Sequence, residues 1–184
     1  MRKALYILAD LDDLDLLWLV ENGDYHKFPA GTRLIQSGVD VVYLYIVIDG
    51  TLDVIFPPSK KIGEMGPGDI IGEISLIEKR PPAVSVVTAR DSKLLAIPQQ
   101  CVRDRLREDI AFASRFYHAL AVFLADRLRA RVATLSYGDA KAKDVQAGLE
   151  QANELDENVL DSLHVAGDRM RRLFRLLEGG EPTR

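Results

Sequence analysis

The spacing of apolar residues divides the chain into three parts. Residues 1–22 set leucines at helical intervals opposite aspartates, which predicts an amphipathic N-terminal helix. From residue 24 to residue 98 the pattern changes to short apolar segments separated by turn residues, including the hairpin signal Asp49-Gly50. About eight short strands at this interval are typical of a β-sandwich or barrel. The predicted strands are Tyr25–Phe28, Arg33–Gln36, Tyr43–Ile48, Leu52–Phe56, Ile62–Met65, Ile70-Ile71, Val84–Val87 and Lys93–Ile97.

From Gln99 onward the pattern becomes helical. It predicts a short helix over Gln99–Arg107 and a long helix over Asp109–Leu135, in which apolar residues recur every three or four positions. The apolar stripe of the long helix is wider than packing against one sheet requires, and such helices usually meet a second partner. Because Phe116-Tyr117 and Phe123-Leu124 supply apolar residues on two faces, we expect a homodimer contact here; burial against the strands alone is the alternative.

Composition and charge limit the classes of function. The chain has 184 residues, of which 47% are hydrophobic and 28% charged, as in a folded soluble protein. Its net charge of −4 gives no general attraction to nucleic acid or to an anionic membrane. No apolar run is long enough to span a bilayer. The single cysteine, Cys101, excludes an internal disulfide framework and suits a reducing cytoplasm, where we expect the protein to lie.

The residue types of enzyme active sites are present but are not arranged for catalysis. His26, His118 and His164 are far apart and show no metal-ligand spacing. The sequence has no Gly-x-Ser-x-Gly elbow and no phosphate loop of the GKS or GKT type. We therefore predict a protein that is not an enzyme and holds no metal.

Residues 66–86 combine several features of an anion site. Gly68-Asp69 predicts a tight turn, and Gly72 allows another group to approach the backbone closely. Residues 73–77 resemble one helical turn, whose first N–H groups are free to bind an anion. Pro81-Pro82 then force an extended exit into the next strand. A glycine-rich corner of an all-β domain would fit the same residues.

The segment Gly72-Glu73-Ile74-Ser75-Leu76 resembles the first half of the phosphate-binding cassette of cyclic-nucleotide-binding domains. These are the sensor modules of Crp/Fnr regulators, protein kinase A regulatory subunits and cyclic-nucleotide-gated channels. Gly31, Gly38 and Gly50 also stand where that family keeps structural glycines. The resemblance implies a mainly β, α+β fold: an eight-stranded jelly roll, or double-stranded β-helix, with an N-terminal helix and a long C-terminal helix. We expect this domain over residues 1–135 and a helical extension over residues 136–184.

The resemblance implies that the N–H groups at positions 74 and 75 of this chain hold the cyclic phosphate. It also implies that Glu73 accepts a hydrogen bond from the ribose 2′-hydroxyl. The family then has an arginine that pairs with the phosphate, followed by Ser or Thr, but Pro82 and Ala83 occupy those positions here. Arg80 could replace the missing cation, or it could be a solvent-exposed loop charge. The predicted ligand-binding residues are Gly72, Glu73, Ile74, Ser75, Arg80, Pro82 and Ala83.

Two functions follow from the resemblance. The first is a regulatory sensor that binds cyclic AMP, cyclic GMP or a related ligand in the β-roll and signals through its C-terminal helices to an effector protein. The second is a degenerate domain that no longer binds nucleotide and acts as a dimerisation or adaptor module. Residues 136–184 are too few for the winged helix-turn-helix of Crp/Fnr regulators and lack its hairpin, so we do not expect DNA binding.

Overall fold

The computed structural model describes residues 10–125, 127–129, 132, 172 and 175–177. Helix α1 (Asp13–Glu21) precedes the strands, helix α2 (Glu73–Glu78) interrupts them, and helix α3 (Gln99–Glu108) follows them. Helix α4 comprises residues 110–125 and 127–129, which lie within the predicted long helix. The eight strands are β1 (Asp24–Phe28), β2 (Arg33–Ile35), β3 (Tyr43–Asp49), β4 (Leu52–Phe56), β5 (Lys60–Met65), β6 (Ile70–Ile71), β7 (Ser85–Thr88) and β8 (Ser92–Pro98).

The strands form two four-stranded antiparallel sheets, in the orders β1-β8-β3-β6 and β2-β7-β4-β5. The predicted eight-stranded jelly roll is therefore confirmed, and the predicted strands agree with the observed ones to within a few residues. The predicted hairpin turn at Asp49-Gly50 joins β3 to β4, with Gly50 at a φ of +116°.

Strand β3 is buried on both of its faces. Leu44, Ile46 and Ile48 pack with the helices, whereas Tyr45 and Val47 point into the interior between the two sheets. Strand β8 is divided in the same way between the two clusters. Two covered faces explain why both strands are almost continuous apolar runs rather than alternating patterns.

Helices α1 and α4 cover the outer face of the β1-β8-β3-β6 sheet. Leu16 and Leu19 of α1 are buried in one cluster with Phe112, Phe116 and Phe123 of α4. Asp109 begins α4 as its N-cap, because its carboxylate accepts a hydrogen bond of 2.9 Å from the Phe112 N–H. The buried stripe of α4 thus lies on the sheet, as the spacing of its apolar residues predicts.

The predicted C-terminal extension, residues 136–184, lies outside the described residues except for 172 and 175–177. Leu177 is buried in the cluster between the helices and the β1-β8-β3-β6 sheet. Arg172 forms an ion pair with Asp13 of α1. These described residues of the extension therefore contact the helical layer of the domain.

Asp15 lies on the face of α1 that the sequence predicts to be polar, yet its side chain is fully buried. Arg115 of α4 donates two hydrogen bonds to this carboxylate, of 2.7 and 3.0 Å, and Arg105 of α3 donates a third of 3.2 Å. Asp15 and Asp12 also form the capping box that begins α1. One buried carboxylate thus joins three helices.

The pKa of Asp15 reflects opposing influences. Burial alone would raise it, but the hydrogen bonds from Arg115 and the Asp12 backbone, with the charges of Arg115 and Arg105, lower the pKa below its usual range. The ionised form of Asp15 is therefore the one that the fold stabilises.

Candidate functional site

A cavity of about 320 Å³ lies between the β-roll, helix α2 and helix α4. Most of the residues in its wall are aliphatic, and several of them come from β2, β4, β5, β6 and β7, for example Ile35, Val54 and Val86. Leu124 and Leu128 of α4 close another side. Among the described residues that line it, Glu73 and Arg127 are the two that carry charge. The site is thus an apolar chamber with one acidic and one basic group in its wall.

The start of α2 is shaped by Gly72, which has a φ of +91°. A Cβ atom at this position would lie 2.6 Å from the carbonyl oxygen of Tyr43, so a side chain would both clash and strain the backbone. The predicted close approach at Gly72 is therefore an approach by strand β3. The Gln99 side chain donates a hydrogen bond of 2.9 Å to the Gly72 carbonyl, which ties this turn to α3.

Glu73, the first residue of α2, points into the wall and forms an ion pair with α4. Its Oε1 accepts a hydrogen bond of 2.6 Å from Nη1 of Arg127. The Glu73 side chain is only 4% exposed and that of Arg127 is 31% exposed. Burial raises the pKa of Glu73 above its ordinary value, and the charge of Arg127 opposes that rise. The carboxylate therefore depends on Arg127 as its counter-ion.

Two further contacts hold the Arg127 side chain. Its Nη2 lies 3.2 Å from the sulfur of Met65 on β5. Its guanidinium carbon lies 4.7 Å from the ring centre of Phe123, one helical turn earlier on α4, in a cation–π arrangement. The guanidinium is thus fixed at the cavity by contacts with α2, β5 and its own helix.

The predicted ligand-binding residues divide between the cavity and the surface. Gly72, Glu73, Ile74, Ser75 and Pro82 line the cavity. Ala83 is exposed and is not part of the lining. Arg80 is also outside the lining; it pairs with Glu78, and its side chain is 72% exposed. Of the two interpretations of Arg80 in the sequence analysis, its position agrees with a charge on a solvent-exposed loop rather than with a replacement cation.

Arg127 is the site residue that our sequence analysis did not identify. It lies four positions after Phe123, so it falls on the buried, apolar stripe of α4. A charged residue on such a stripe needs a buried partner or a polar cavity, because its desolvation is costly. This break in the stripe was the available signal, but only the fold reveals that the partner is Glu73.

No helix in the described part of the chain is long and apolar enough to cross a bilayer. The described ranges also contain no cluster of three or more His, Cys, Asp or Glu side chains that could hold a metal ion.

The chain is similar in sequence to known proteins. The family model described as the cyclic nucleotide-binding domain matches residues 25–109. A cAMP-dependent protein kinase regulatory subunit of Eremothecium gossypii is 36% identical over 92 residues, covering 50% of this chain and 20% of that protein. An uncharacterised NTE family protein of Mycobacterium bovis is 28% identical over 127 residues, covering 69% and 22% respectively. The chain spans about a fifth of the length of these curated relatives.

A solved structure supports the fold. The crystal structure of a cyclic nucleotide-binding domain from Methylobacillus flagellatus superposes with a TM-score of 0.62 at 20% identity, covering 69% of this chain and 77% of that one. At this identity the likeness concerns the fold alone. The family match identifies residues 25–109 as a domain of the cyclic nucleotide-binding family, to which regulatory and sensor proteins belong.

Proposed function

We propose that this domain is a sensor that binds cyclic AMP or cyclic GMP in the cavity beside α2 and transmits binding through α4. The observation that carries the proposal is the buried carboxylate of Glu73 in the wall of an otherwise apolar chamber. A carboxylate accepts hydrogen bonds from ribose hydroxyls, and aliphatic walls suit the faces of a purine and a sugar. The cavity volume, about 320 Å³, is at the lower end of that of small-molecule sites, which is roughly 300–1,000 Å³.

The dimerisation or adaptor module is the less well supported function. Pro82 and Ala83 favour it, because they remove two polar phosphate contacts that the family pattern provides. The open cavity and the buried Glu73 oppose it. Both features lower the stability of a fold, since cavities lose packing contacts and buried charges lose hydration. A domain that served only as a protein contact would gain nothing from either of them.

We propose that the output of this sensor is a protein contact rather than a catalysed reaction. Helix α4 carries a second apolar face with Ile110 and Tyr117, which are 84% and 51% exposed. An interval of seven residues brings these two side chains to the same face of the helix. This face suits a homodimer seam, or an effector protein in the reducing cytoplasm, which the free thiol of Cys101 also suits.

Titration calorimetry with cyclic AMP and cyclic GMP tests the binding. We expect micromolar affinity for at least one of them, and Glu73→Ala should weaken it by about 10- to 100-fold, the equivalent of a charged hydrogen bond of about 1.5–3 kcal/mol. The matched control is Glu78→Ala at the exposed end of the same helix, which should leave the affinity unchanged.

Two results would count against the sensor. The absence of heat at millimolar concentrations of both nucleotides would make the cavity vestigial and favour the adaptor module. An equal loss of affinity in Glu73→Ala and Glu78→Ala would show that any damage to α2 weakens binding, so that Glu73 would have no specific role.

A further inference from the structure

The cavity lacks a cation where the family cassette has one. Pro82 stands in the wall at that position, and a proline side chain offers neither charge nor hydrogen bond. Arg80 is turned away to Glu78 on the surface. A phosphate that entered beside Glu73 would meet a carboxylate in a largely apolar chamber, and the two like charges would repel each other strongly. An anionic ligand therefore needs a positive group from another part of the fold.

Arg127 is the one cation among the described residues of the cavity wall. Its guanidinium lies 2.6 Å from the carboxylate that the ribose would use, so it is beside the place where a sugar-linked phosphate would sit. A guanidinium has five N–H donors in a planar fork, so it can hold Glu73 and a ligand oxygen at the same time. The contacts with Met65 and Phe123 fix it there before any ligand arrives.

We propose that Arg127 of α4 recognises the phosphate of the ligand and takes over the role of the arginine that is absent at Pro82. This inference rests on the proposed function and specifies it. The ligand is an anionic nucleotide rather than a neutral nucleoside, and the group that selects it belongs to α4 rather than to the cassette. Charge-assisted bonds from a guanidinium to phosphate are among the stronger hydrogen bonds available in proteins.

The position of Arg127 also gives binding a direct route to the output helix. Arg127 of α4 contacts Glu73 of α2 and Met65 of β5. If Arg127 also binds the ligand phosphate, the affinity for the ligand depends on whether α4 lies against the roll. Linkage requires the reverse as well: the ligand stabilises the position of α4 by the same factor. If a residue at position 82 held the ligand phosphate instead, the coupling between the ligand and α4 would have to pass through other contacts.

Paired titrations with cyclic AMP and adenosine test this role, because the two ligands share base and ribose and differ in the phosphate. We expect the wild-type protein to bind cyclic AMP at least tenfold more tightly than adenosine. Arg127→Gln should weaken cyclic AMP binding by about 10- to 100-fold more than it weakens adenosine binding, because both ligands lose the ion-paired form of Glu73 but only cyclic AMP also loses the phosphate contact. Arg129→Gln, on the exposed face of the same helix, is the matched control and should change neither affinity.

A second variant keeps the test decisive if Arg127→Gln leaves Glu73 without a partner and the protein does not fold. Arg127→Lys keeps a charge that can pair with Glu73, but it is a single point charge rather than a planar fork. It should fold and bind cyclic AMP more weakly than wild type, and it should still prefer cyclic AMP to adenosine.

The outcomes separate the inference from the proposed function. If wild type binds cyclic AMP and Arg127→Gln binds it equally well, Arg127 is only the counter-ion of Glu73, and the sensor function stands without this inference. Equal wild-type affinity for cyclic AMP and adenosine would likewise overturn the phosphate role. If wild type binds neither ligand, the proposed function fails and the inference fails with it.

Discussion

Asp15→Asn is expected to lower the free energy of unfolding by about 3–5 kcal/mol, the usual cost of removing one partner from a buried ion pair. The wild-type carboxylate is fully buried and accepts hydrogen bonds from Arg105 and Arg115. An asparagine amide would present N–H donors to these arginines and leave their charges without a counter-ion. Urea denaturation at pH 7 measures the effect.

Asp13→Asn, two residues earlier on the same helix, is the matched control. Its carboxylate is half-exposed in its pair with Arg172, and such pairs contribute about 0–1 kcal/mol. Asp13→Asn should therefore change the stability by less than about 1 kcal/mol. Similar losses in the two variants would show that the three-helix junction around Asp15 contributes no more than a surface ion pair.

The loss of stability caused by Asp15→Asn should disappear in acid. Because the folded state lowers the pKa of Asp15, its stabilisation is complete well above the ordinary aspartate value of about 3.9 and is lost as the pH falls through the lower, folded-state pKa. The difference in stability between wild type and Asp15→Asn should thus be full at pH 7 and should close as the pH falls below about 4.

Tyr117→Glu is expected to convert a dimer of this protein into monomers. In a two-fold seam the residue occurs twice, so the change removes two buried rings and brings two carboxylates close together. If each ring contributes about 2 kcal/mol of burial, the loss is about 4 kcal/mol, close to a thousandfold in the dissociation constant. Analytical ultracentrifugation across a range of protein concentrations measures it.

Leu14→Glu serves as the control for the seam. Leu14 lies on α1 and is 71% exposed, so the change introduces the same charge at another exposed apolar position. It should leave the dimer intact. A wild-type protein that sediments as a monomer, or a Tyr117→Glu variant that remains dimeric, would exclude the exposed face of α4 as the dimer seam.

Helix α4 contacts the sheet, the cavity and the solvent with different side chains. Phe116 and Phe123 anchor it to the sheet, and Arg127 reaches the cavity from the end of the same stripe. Tyr117 lies on the other, exposed side. A ligand that shifted the backbone of α4 at Arg127 would also shift the surface that α4 offers to a partner, because the backbone of a helix moves as one unit.

Much of the fold was predictable from local sequence. The apolar runs of β3 and β8, the Asp49-Gly50 turn and the Gly72-Glu73 start of α2 are determined by residues that are neighbours in the chain. Periodicity and turn chemistry depend on such neighbours, so they predict these elements well. The cavity also lies where the resemblance to the family cassette leads one to expect it.

The ion pairs were not predictable in this way, because their partners are distant in sequence. Glu73 and Arg127 are 54 residues apart, and Asp15 and Arg115 are 100 residues apart. The interruption that Arg127 makes in the apolar stripe of α4 does not identify its partner, and Arg80 is much closer to the cassette in sequence than Arg127 is. Only the packing of α1 and α4 on the sheet decides which charges are buried together.

Amide hydrogen exchange with and without saturating cyclic AMP tests most directly whether binding at the cassette reaches α4. At a ligand concentration of one hundred times Kd, amide exchange that requires an opening incompatible with the bound ligand should slow by about 100-fold. We expect this protection at residues 72–76 and also at residues 120–125 and 127–129 of α4. Protection confined to residues 72–76, or none in either segment, would contradict a sensor that signals through α4.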